Sequence, residues 1–414
     1  MTRHVVIIGG GVIGLSTAWE CVQRGLRVTV IERAPERRGA SFGNAGMVVP
    51  SHFIPLAAPG MVALGLKWMW NPESPFYIKP RLSWDLIAWA FRFWRASTPA
   101  HVQRCAPLLR DLNLASREAY ARLAQEEDFG LVKKGLMMLC KTSQTLDEEA
   151  HTAEKANALG VPAQVLDARV LAALDPNVTM DVAGGVYFPM DCHLQPERYV
   201  ATLERRVRAA SGELLYGAEA TGWRTEGTRL AAVKTSTGEV AGDEFILCAG
   251  AWSTDFARAT GLRLPMQAGK GYSVTLPHPV ELPTICSIFT EARVAVTPMG
   301  GALRFGGTME IAGMNERINP RRVAGIIKAV PKYYPKFSTE HFAGIEPWSG
   351  LRPCSPDGMP YLGRTRAAEN LIVATGHSMM GLSLAPITGQ LAAQLATNEP
   401  VAQDLTLLSP DRYA

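Results

Sequence analysis

The sequence predicts an α/β fold in two parts, one built on a parallel sheet and the other on a mixed, largely antiparallel one. Three observations carry this expectation. Residues 4–8 are a short apolar run that breaks off at Gly9-Gly10-Gly11, as a buried parallel strand entering a tight turn does. Residues 12–24 carry apolar positions at helical spacing, Gly25 closes them, and 27–31 form a second apolar run ending at Glu32. Beyond Gly261 short runs at 271–276, 285–290, 293–297 and 302–308 are joined by turns such as Pro298-Met299-Gly300-Gly301, the pattern of an antiparallel meander able to roof a pocket.

Gly9, Gly11 and Gly14 form G-x-G-x-x-G inside a strand-turn-helix-strand unit, with the acid Glu32 about 20 residues on. This is the fingerprint of a Rossmann-like dinucleotide-binding domain. Gly9 permits the turn, Gly11 lets the backbone approach a pyrophosphate, and Gly14 lets the helix pack on the strand. The helix N-terminus, from Val12 and Ile13, offers free N–H groups to the phosphates, and Glu32 is placed to accept from ribose hydroxyls. A secretory signal does not fit this segment, which glycines divide into strand and helix.

Composition narrows the class. With 47% apolar residues among 414, the chain can fill a sizeable core in two domains or one interleaved body. The net charge is +4 and no basic block exceeds Arg37-Arg38 or Arg321-Arg322, so no nucleic-acid partner is expected. The 7 cysteines form no C-x-x-C pair, which points to reduced thiols and a cytoplasmic protein. No apolar run is long enough to span a bilayer. Cys192-His193 has no second cluster at ligand spacing, so no metal site is expected and His193 reads as a loop residue lining a pocket.

Taken in order, the polar connection after Glu32 and Arg33 leads into Ser41-Phe42-Gly43-Asn44-Ala45-Gly46-Met47. Such small residues let a loop run beside a flat ligand, which suits a flavin better than a nicotinamide and gives the first sign that the dinucleotide is FAD. Residues 53–95 hold Trp68, Trp70, Trp84, Trp89 and Trp94, five of the 9 tryptophans. On a helix over 83–95, Trp84, Ile87, Phe91 and Trp94 share one face and Leu86, Trp89 and Phe93 the adjoining one, leaving Asp85, Arg92 and Arg95 as a narrow polar stripe. With Lys67, Lys79 and Arg81 nearby, this stretch reads either as a surface that rests on a membrane or partner, or as a helix sandwiched in the core.

Helices follow at 101–128, 148–159, 167–174 and 195–210, and strands at 135–141, 184–189, 214–220, 230–235 and 239–250. The run ending at Ala220 and the one entering Ala249-Gly250 bring further small residues to the ends of strands, where a backbone can approach the cofactor. A helix at 321–333 precedes Gly350-Leu351-Arg352-Pro353 and the turn Ser355-Pro356-Asp357-Gly358. A strand over 371–375, Gly376-His377-Ser378-Met379-Met380-Gly381 and a helix over 382–398 then repeat the first strand-glycine-helix arrangement. Two converging glycine turns suit a cofactor longer than one nucleotide. The cofactor-binding set is therefore Gly9, Gly11, Val12, Ile13, Gly14, Glu32, Arg33, Ser41, Asn44, Ala45, Gly46, Met47, Ala220, Ala249, Gly250, Gly376, Met379, Met380 and Gly381.

The fingerprint, the 41–47 loop, Leu56-Ala57-Ala58-Pro59-Gly60, Lys270-Gly271-Tyr272-Ser273, Arg304-Phe305-Gly306-Gly307-Thr308, Gly350-Leu351-Arg352-Pro353 with Pro356-Asp357-Gly358, and Gly376-His377 resemble the bacterial D-amino-acid dehydrogenases along essentially the whole chain. These belong with glycine oxidase and sarcosine oxidase to the D-amino-acid-oxidase-like FAD superfamily. The resemblance implies an FAD-binding domain assembled from 1–55, 195–265 and 346–414, and a substrate domain from 56–194 and 266–345. It also implies oxidation of a D-amino acid to an imine that hydrolyses to a 2-oxo acid and ammonia, with electrons passed to a membrane quinone. The protein would then lie peripherally on the inner face of the cytoplasmic membrane, with residues 53–95 as its contact; a homo-oligomer is an allowed state.

Such an oxidation needs a carboxylate clamp, a neutral amine and a Cα–H facing the flavin, but no protein nucleophile. Arg352 is the candidate clamp, because guanidinium matches carboxylate bidentately, and Tyr272 can add its hydroxyl or shield the site. His52, His377 and Ser378 are the remaining pocket residues, with His377 read as a flavin-loop residue rather than a base. Rival readings are an oxidase using dioxygen, a dehydrogenase of a cyclic imino acid such as a D-hydroxyproline, a flavin-binding subunit inactive alone, and a nicotinamide dehydrogenase.

Overall fold

The computed structural model describes residues 2–36, 39–69, 71 and 73–414; Trp70 and the Arg37-Arg38 block lie outside the described residues. Strand β1 (His4–Ile8), helix α1 (Val12–Gln23) and strand β2 (Arg27–Glu32) form where the apolar periods place them. Gly25, at φ +72°, ends α1: its N–H donates to the Val22 carbonyl at 3.0 Å and the Leu26 N–H to Cys21 at 3.1 Å.

β1 and β2 lie at the middle of a six-stranded sheet in the order Tyr361–Thr365, Ala368–Thr375, Glu244–Leu247, β1, β2, Glu213–Tyr216. Every pairing is parallel except that of Tyr361–Thr365 at the edge. Helices α1 and Ala385–Thr397 cover one face so closely that a Cβ on Gly389 would come within 2.6 Å of the Ser16 backbone. A small antiparallel sheet of Ala220–Glu226, Arg229–Thr235 and Gly238–Ala241 sits against the other face.

The second sheet has nine strands, led by Trp348–Cys354, Gln267–Leu276, Ala302–Ile311 and Val294–Met299 and continuing through Cys286–Phe289, Leu136–Cys140, Gly184–Phe188 and Gln164–Asp167. It is mixed and largely antiparallel: only the pairings of Leu136–Cys140 with Cys286–Phe289 and of Phe76–Ile78 with Ala302–Ile311 run parallel.

The structure corrects several expectations. The run 239–250 is two strands, Gly238–Ala241 and Glu244–Leu247, in different sheets, with Gly242 in the turn between them. The run 214–220 ends at Tyr216, and Ala220 begins a strand of the small sheet. Trp348–Cys354, placed beyond the boundary at 346, is the edge strand of the second sheet, where Pro353 is tolerated because an edge need not donate from every N–H.

The aromatic helix spans Trp84–Ala96 and is not sandwiched. Leu86 and Trp89 are buried against Met309, Ile311 and Cys354, whereas Trp84 is 85% exposed and Trp94 60%, with Ile87 and Phe91 exposed beside them. Among the described residues no helix is long and apolar enough to cross a membrane.

Candidate active site

A crevice of about 590 Å³ opens along the C-terminal ends of β1, β2, Glu244–Leu247 and Ala368–Thr375. Its first wall is the fingerprint turn. Gly9 has φ +109°, and a Cβ there would come within 2.5 Å of the Cys248 carbonyl; a Cβ on Gly14 would overlap the Gly9 carbonyl oxygen. Gly11 differs, because the nearest atom to an added Cβ is Ser41 Oγ at 3.5 Å, an ordinary contact. The protein requires glycine at 9 and 14, whereas at 11 the requirement comes from whatever lies against the turn.

Ser41 Oγ accepts from the Val12 N–H at 3.0 Å, so the 41–47 loop is tied to the first turn of α1. Glu32 accepts from the Gly10 N–H through Oε2 and from the Ala34 N–H through Oε1, both at 2.8 Å. A carboxylate has about four lone-pair sites, so both oxygens keep acceptor capacity toward the crevice. Farther along, the Arg33 guanidinium lies 3.7 Å over the Trp252 ring and reaches Glu316 at 4.0 Å. Trp252 and Glu316 carried no signal in the sequence, since nothing local marks them as neighbours of β2.

The opposite wall comes from the far end of the chain. Gly376, at φ +78°, turns the backbone after Ala368–Thr375, and His377, Ser378, Met379 and Gly381 line the crevice. The Ser378 N–H donates to the Pro353 carbonyl at 3.0 Å, which ties this turn to the strand bearing Arg352. His377 Nε2 meets Thr388 Oγ1 at 3.0 Å, and burial holds its imidazole neutral, with a pKa lowered to about 3.

Arg352 is half-buried at the crevice wall. Its Nη1 donates to the Thr308 carbonyl at 2.6 Å, and among the described residues no carboxylate pairs with it. Burial lowers its pKa, yet a guanidinium remains charged.

Of the cofactor-binding set, Gly9, Gly11, Val12, Ile13, Glu32, Arg33, Ser41, Asn44, Ala220, Ala249, Gly250, Met379 and Gly381 line this crevice. Gly14, Ala45, Gly46, Met47 and Gly376 do not line it, and Met380 lines a smaller cavity beside it. Gly43 and Gly46 have reasons of their own to be small: side chains there would overlap the Trp348 ring and the Leu194 carbonyl. Met47 pairs with His193 in a two-stranded ladder, so His193 is a buried strand residue and not the pocket histidine expected.

Tyr272 does not face the crevice. Alternation along Gln267–Leu276 turns Gly271 toward Arg352 and sends Tyr272 to the other face, where its hydroxyl donates to Glu310 at 2.5 Å within the second core. It is a structural residue of that core and does not share the crevice with Arg352.

His52 lines a smaller cavity of about 50 Å³ that shares His377, Ser378 and Met379 with the crevice. Its Nδ1 meets Ser51 Oγ at 3.0 Å, and Ser51 donates through Oγ to Asp191 at 2.5 Å and through N–H at 3.1 Å. Burial lowers His52 to about 4 and raises Asp191 to about 7, the two Ser51 bonds opposing the latter shift. The signs are opposite. Asp191's neutral carboxyl stabilises the fold fully below about pH 4, and the contribution falls as pH rises and is gone above about 7; the neutral imidazoles of His52 and His377 stabilise it above about pH 6.5 and less as pH falls toward 4. Between pH 4 and 6.5 the two imidazoles outweigh the one carboxyl, so melting temperature should rise with pH in the wild type and rise more steeply in Asp191→Asn, where the opposing contribution is gone. An unchanged profile would show that Asp191 does not titrate in this window.

A model of the FAD dependent oxidoreductase family (DAO) matches residues 4–395. The chain belongs to this family. The D-amino acid dehydrogenase of Methylobacterium radiotolerans is 33% identical over 430 positions, covering 99% of this chain and 100% of its own. That of Granulibacter bethesdensis is 30% identical over 423 positions with 99% and 100% coverage. The glycine oxidase of Geobacillus kaustophilus superposes with a TM-score of 0.81 at 25% identity, covering 100% of both chains.

As a member of the DAO family the chain is an FAD-dependent oxidoreductase, and the crevice fits that cofactor. One cavity runs from Glu32 and Arg33 at one end to Arg352 and Met379 at the other, and the bare Gly11 leaves room for a pyrophosphate at the N-terminus of α1. Gly9, Gly11 and Val12 would hold the phosphates, Glu32 the ribose, and the Ala249-Gly250 and 377–381 turns the remainder.

Proposed function

We propose that this DAO-family enzyme oxidises a D-amino acid to its imine, which takes up water and releases ammonia to leave a 2-oxo acid. The observation that carries this reading is Arg352, a half-buried cation at the flavin end of the crevice with no carboxylate partner among the described residues. Its free edge would take the substrate carboxylate in a charge-assisted pair. FAD, when bound, supplies the two-electron acceptor for the hydride leaving Cα. His377 and His52, both neutral, put no cation beside the amine and leave it free to lose its proton. Arg352 anchors the carboxylate in the bound substrate and in the transition state alike, so its contribution is to binding more than to the chemical step. The D-handedness rests on the relatives' names.

Anaerobic mixing of the yellow enzyme with a panel of D- and L-amino acids and cyclic imino acids tests the reading. Flavin bleaching by D-amino acids but not their mirror images is the expected result. If none bleaches it, the proposed chemistry is lost; rapid reoxidation by dioxygen would make the protein an oxidase.

The electron acceptor we propose is a quinone, reached by docking of the Trp84–Ala96 helix on an anionic bilayer. Trp84, Ile87, Phe91 and Trp94 form an exposed apolar face, Arg95 on the same helix and Lys67 and Lys79 in the same stretch of chain are exposed, and Asp85 is neutralised by Arg258 at 2.5 Å. On the opposite side of the helix Trp89 Nε1 donates to the Cys354 carbonyl at 2.8 Å, two residues from Arg352. The holoenzyme should sediment with vesicles containing phosphatidylglycerol and far less with pure phosphatidylcholine. Combined Trp84→Ser, Phe91→Ser and Trp94→Ser should abolish this while the flavin spectrum is retained. Sedimentation unaffected by the triple change would place the contact elsewhere.

A further inference from the structure

The strands Gln267–Leu276 and Ala302–Ile311 do not pair regularly. Their register passes from Lys270 opposite Glu310 to Tyr272 opposite Gly307, so Thr308 and Met309 together face the single residue Gly271. This is a β-bulge, and it leaves Thr308 at φ +68°. A β-branched residue in the left-handed region is a genuine outlier, and such strain persists only where the surroundings enforce it.

The strained unit points at one group. The Thr308 carbonyl accepts from Arg352 Nη1 at 2.6 Å. Across the bulge a Cβ on Gly271 would overlap Nη1, Nη2 and Cζ of the same guanidinium, which therefore lies flat on bare backbone. A second left-handed non-glycine residue, Ser378 at φ +50°, donates its N–H to Pro353, the neighbour of Arg352. Two of the others, Ser211 and Asn398, simply close helices.

We propose that Gly271 and Thr308 are positioning residues for the oxidation: their bulge aims the Arg352 guanidinium and so sets the enzyme's affinity for the substrate carboxylate. This rests on Arg352 being the carboxylate anchor. One arm of the guanidinium is committed to Thr308, and the bulge fixes which edge remains for the amino acid. The strain belongs to the backbone, since the Thr308 side chain is not what Arg352 touches.

A double-mutant cycle tests this in the holoenzyme, with KM, kcat, flavin content and melting temperature read for each variant. Gly271→Ala should raise KM for the bleaching amino acid about tenfold or more with kcat within about threefold, and lower the melting temperature. In the Arg352→Ala background the same substitution should change neither KM nor melting temperature further, because the guanidinium it displaces is gone. If Gly271→Ala acts equally in both backgrounds, Gly271 serves the strand and the proposal falls. It falls too if Gly271→Ala leaves KM unchanged while Arg352→Ala raises it. If Arg352→Ala alone leaves KM unchanged, the anchor reading fails, and the melting cycle still reports whether Gly271 acts through the guanidinium. Thr308→Gly, which adopts this φ without strain and keeps the carbonyl, should leave KM unchanged and raise the melting temperature. A raised KM there would overturn the assignment to the backbone, and this variant keeps the test open should Gly271→Ala fail to fold.

Discussion

Arg352→Ala should raise KM for the amino acid by about one to two orders of magnitude while the protein remains fully yellow. A hydrogen bond to a charged group contributes ~1.5–3 kcal/mol, and each 1.4 kcal/mol is a factor of ten. The fall in kcat should be smaller, because an interaction made equally with substrate and transition state appears in KM. FAD should be retained, since the phosphate and ribose contacts expected at Gly11 and Glu32 lie at the other end of the crevice. Steady-state kinetics with the flavin spectrum decide the matter: a normal KM would remove Arg352 from the substrate site.

Gly11→Val and Gly14→Ala should fail in different ways. At Gly11 the protein leaves space, with Ser41 Oγ 3.5 Å from the added carbon, so the valine variant should fold, melt like the wild-type apoprotein and bind no FAD. At Gly14 the new methyl meets the Gly9 carbonyl inside the packing of α1 on β1, so folding itself should suffer and flavin be lost with it. A yellow Gly11→Val protein would contradict the close approach of a pyrophosphate to that backbone.

The parallel sheet was legible because its strands are buried on both faces and read as unbroken apolar runs, with glycines at the turns. Arg352 stood out as a lone guanidinium in a glycine- and proline-bounded segment, and the fold brings it to the crevice wall. The strand that carries it was not, since Trp348–Cys354 contains glycine, arginine and proline, residues an edge strand tolerates but no pattern announces. Tyr272 was misplaced for a related reason: along Gln267–Leu276 nearly every residue is buried, so no polar alternation marks which side chains share a face. The glycines at 269 and 271 did mark it, as alternate residues bare on one side, and they read correctly only once the strand is paired with its neighbour. The Trp84–Ala96 helix is apolar on nearly all sides, and sequence alone assigns neither face to the core. Thr308, Trp252, Ser51 and Asp191 act through neighbours distant in the chain, and composition near them carries no trace of it.

The order of the parallel strands also governs when the protein can first acquire its flavin. β1 and β2 leave the ribosome early, but the next strand beside β1 is Glu244–Leu247, and the one beyond it, Ala368–Thr375, follows more than a hundred residues later. The nascent chain therefore holds a complete phosphate turn long before it has a crevice, and the free edge of β1 must wait unpaired until Glu244–Leu247 is made. Cofactor loading accordingly waits for Ala368–Thr375, and growth on limiting riboflavin would accumulate colourless chains that already carry both glycine turns.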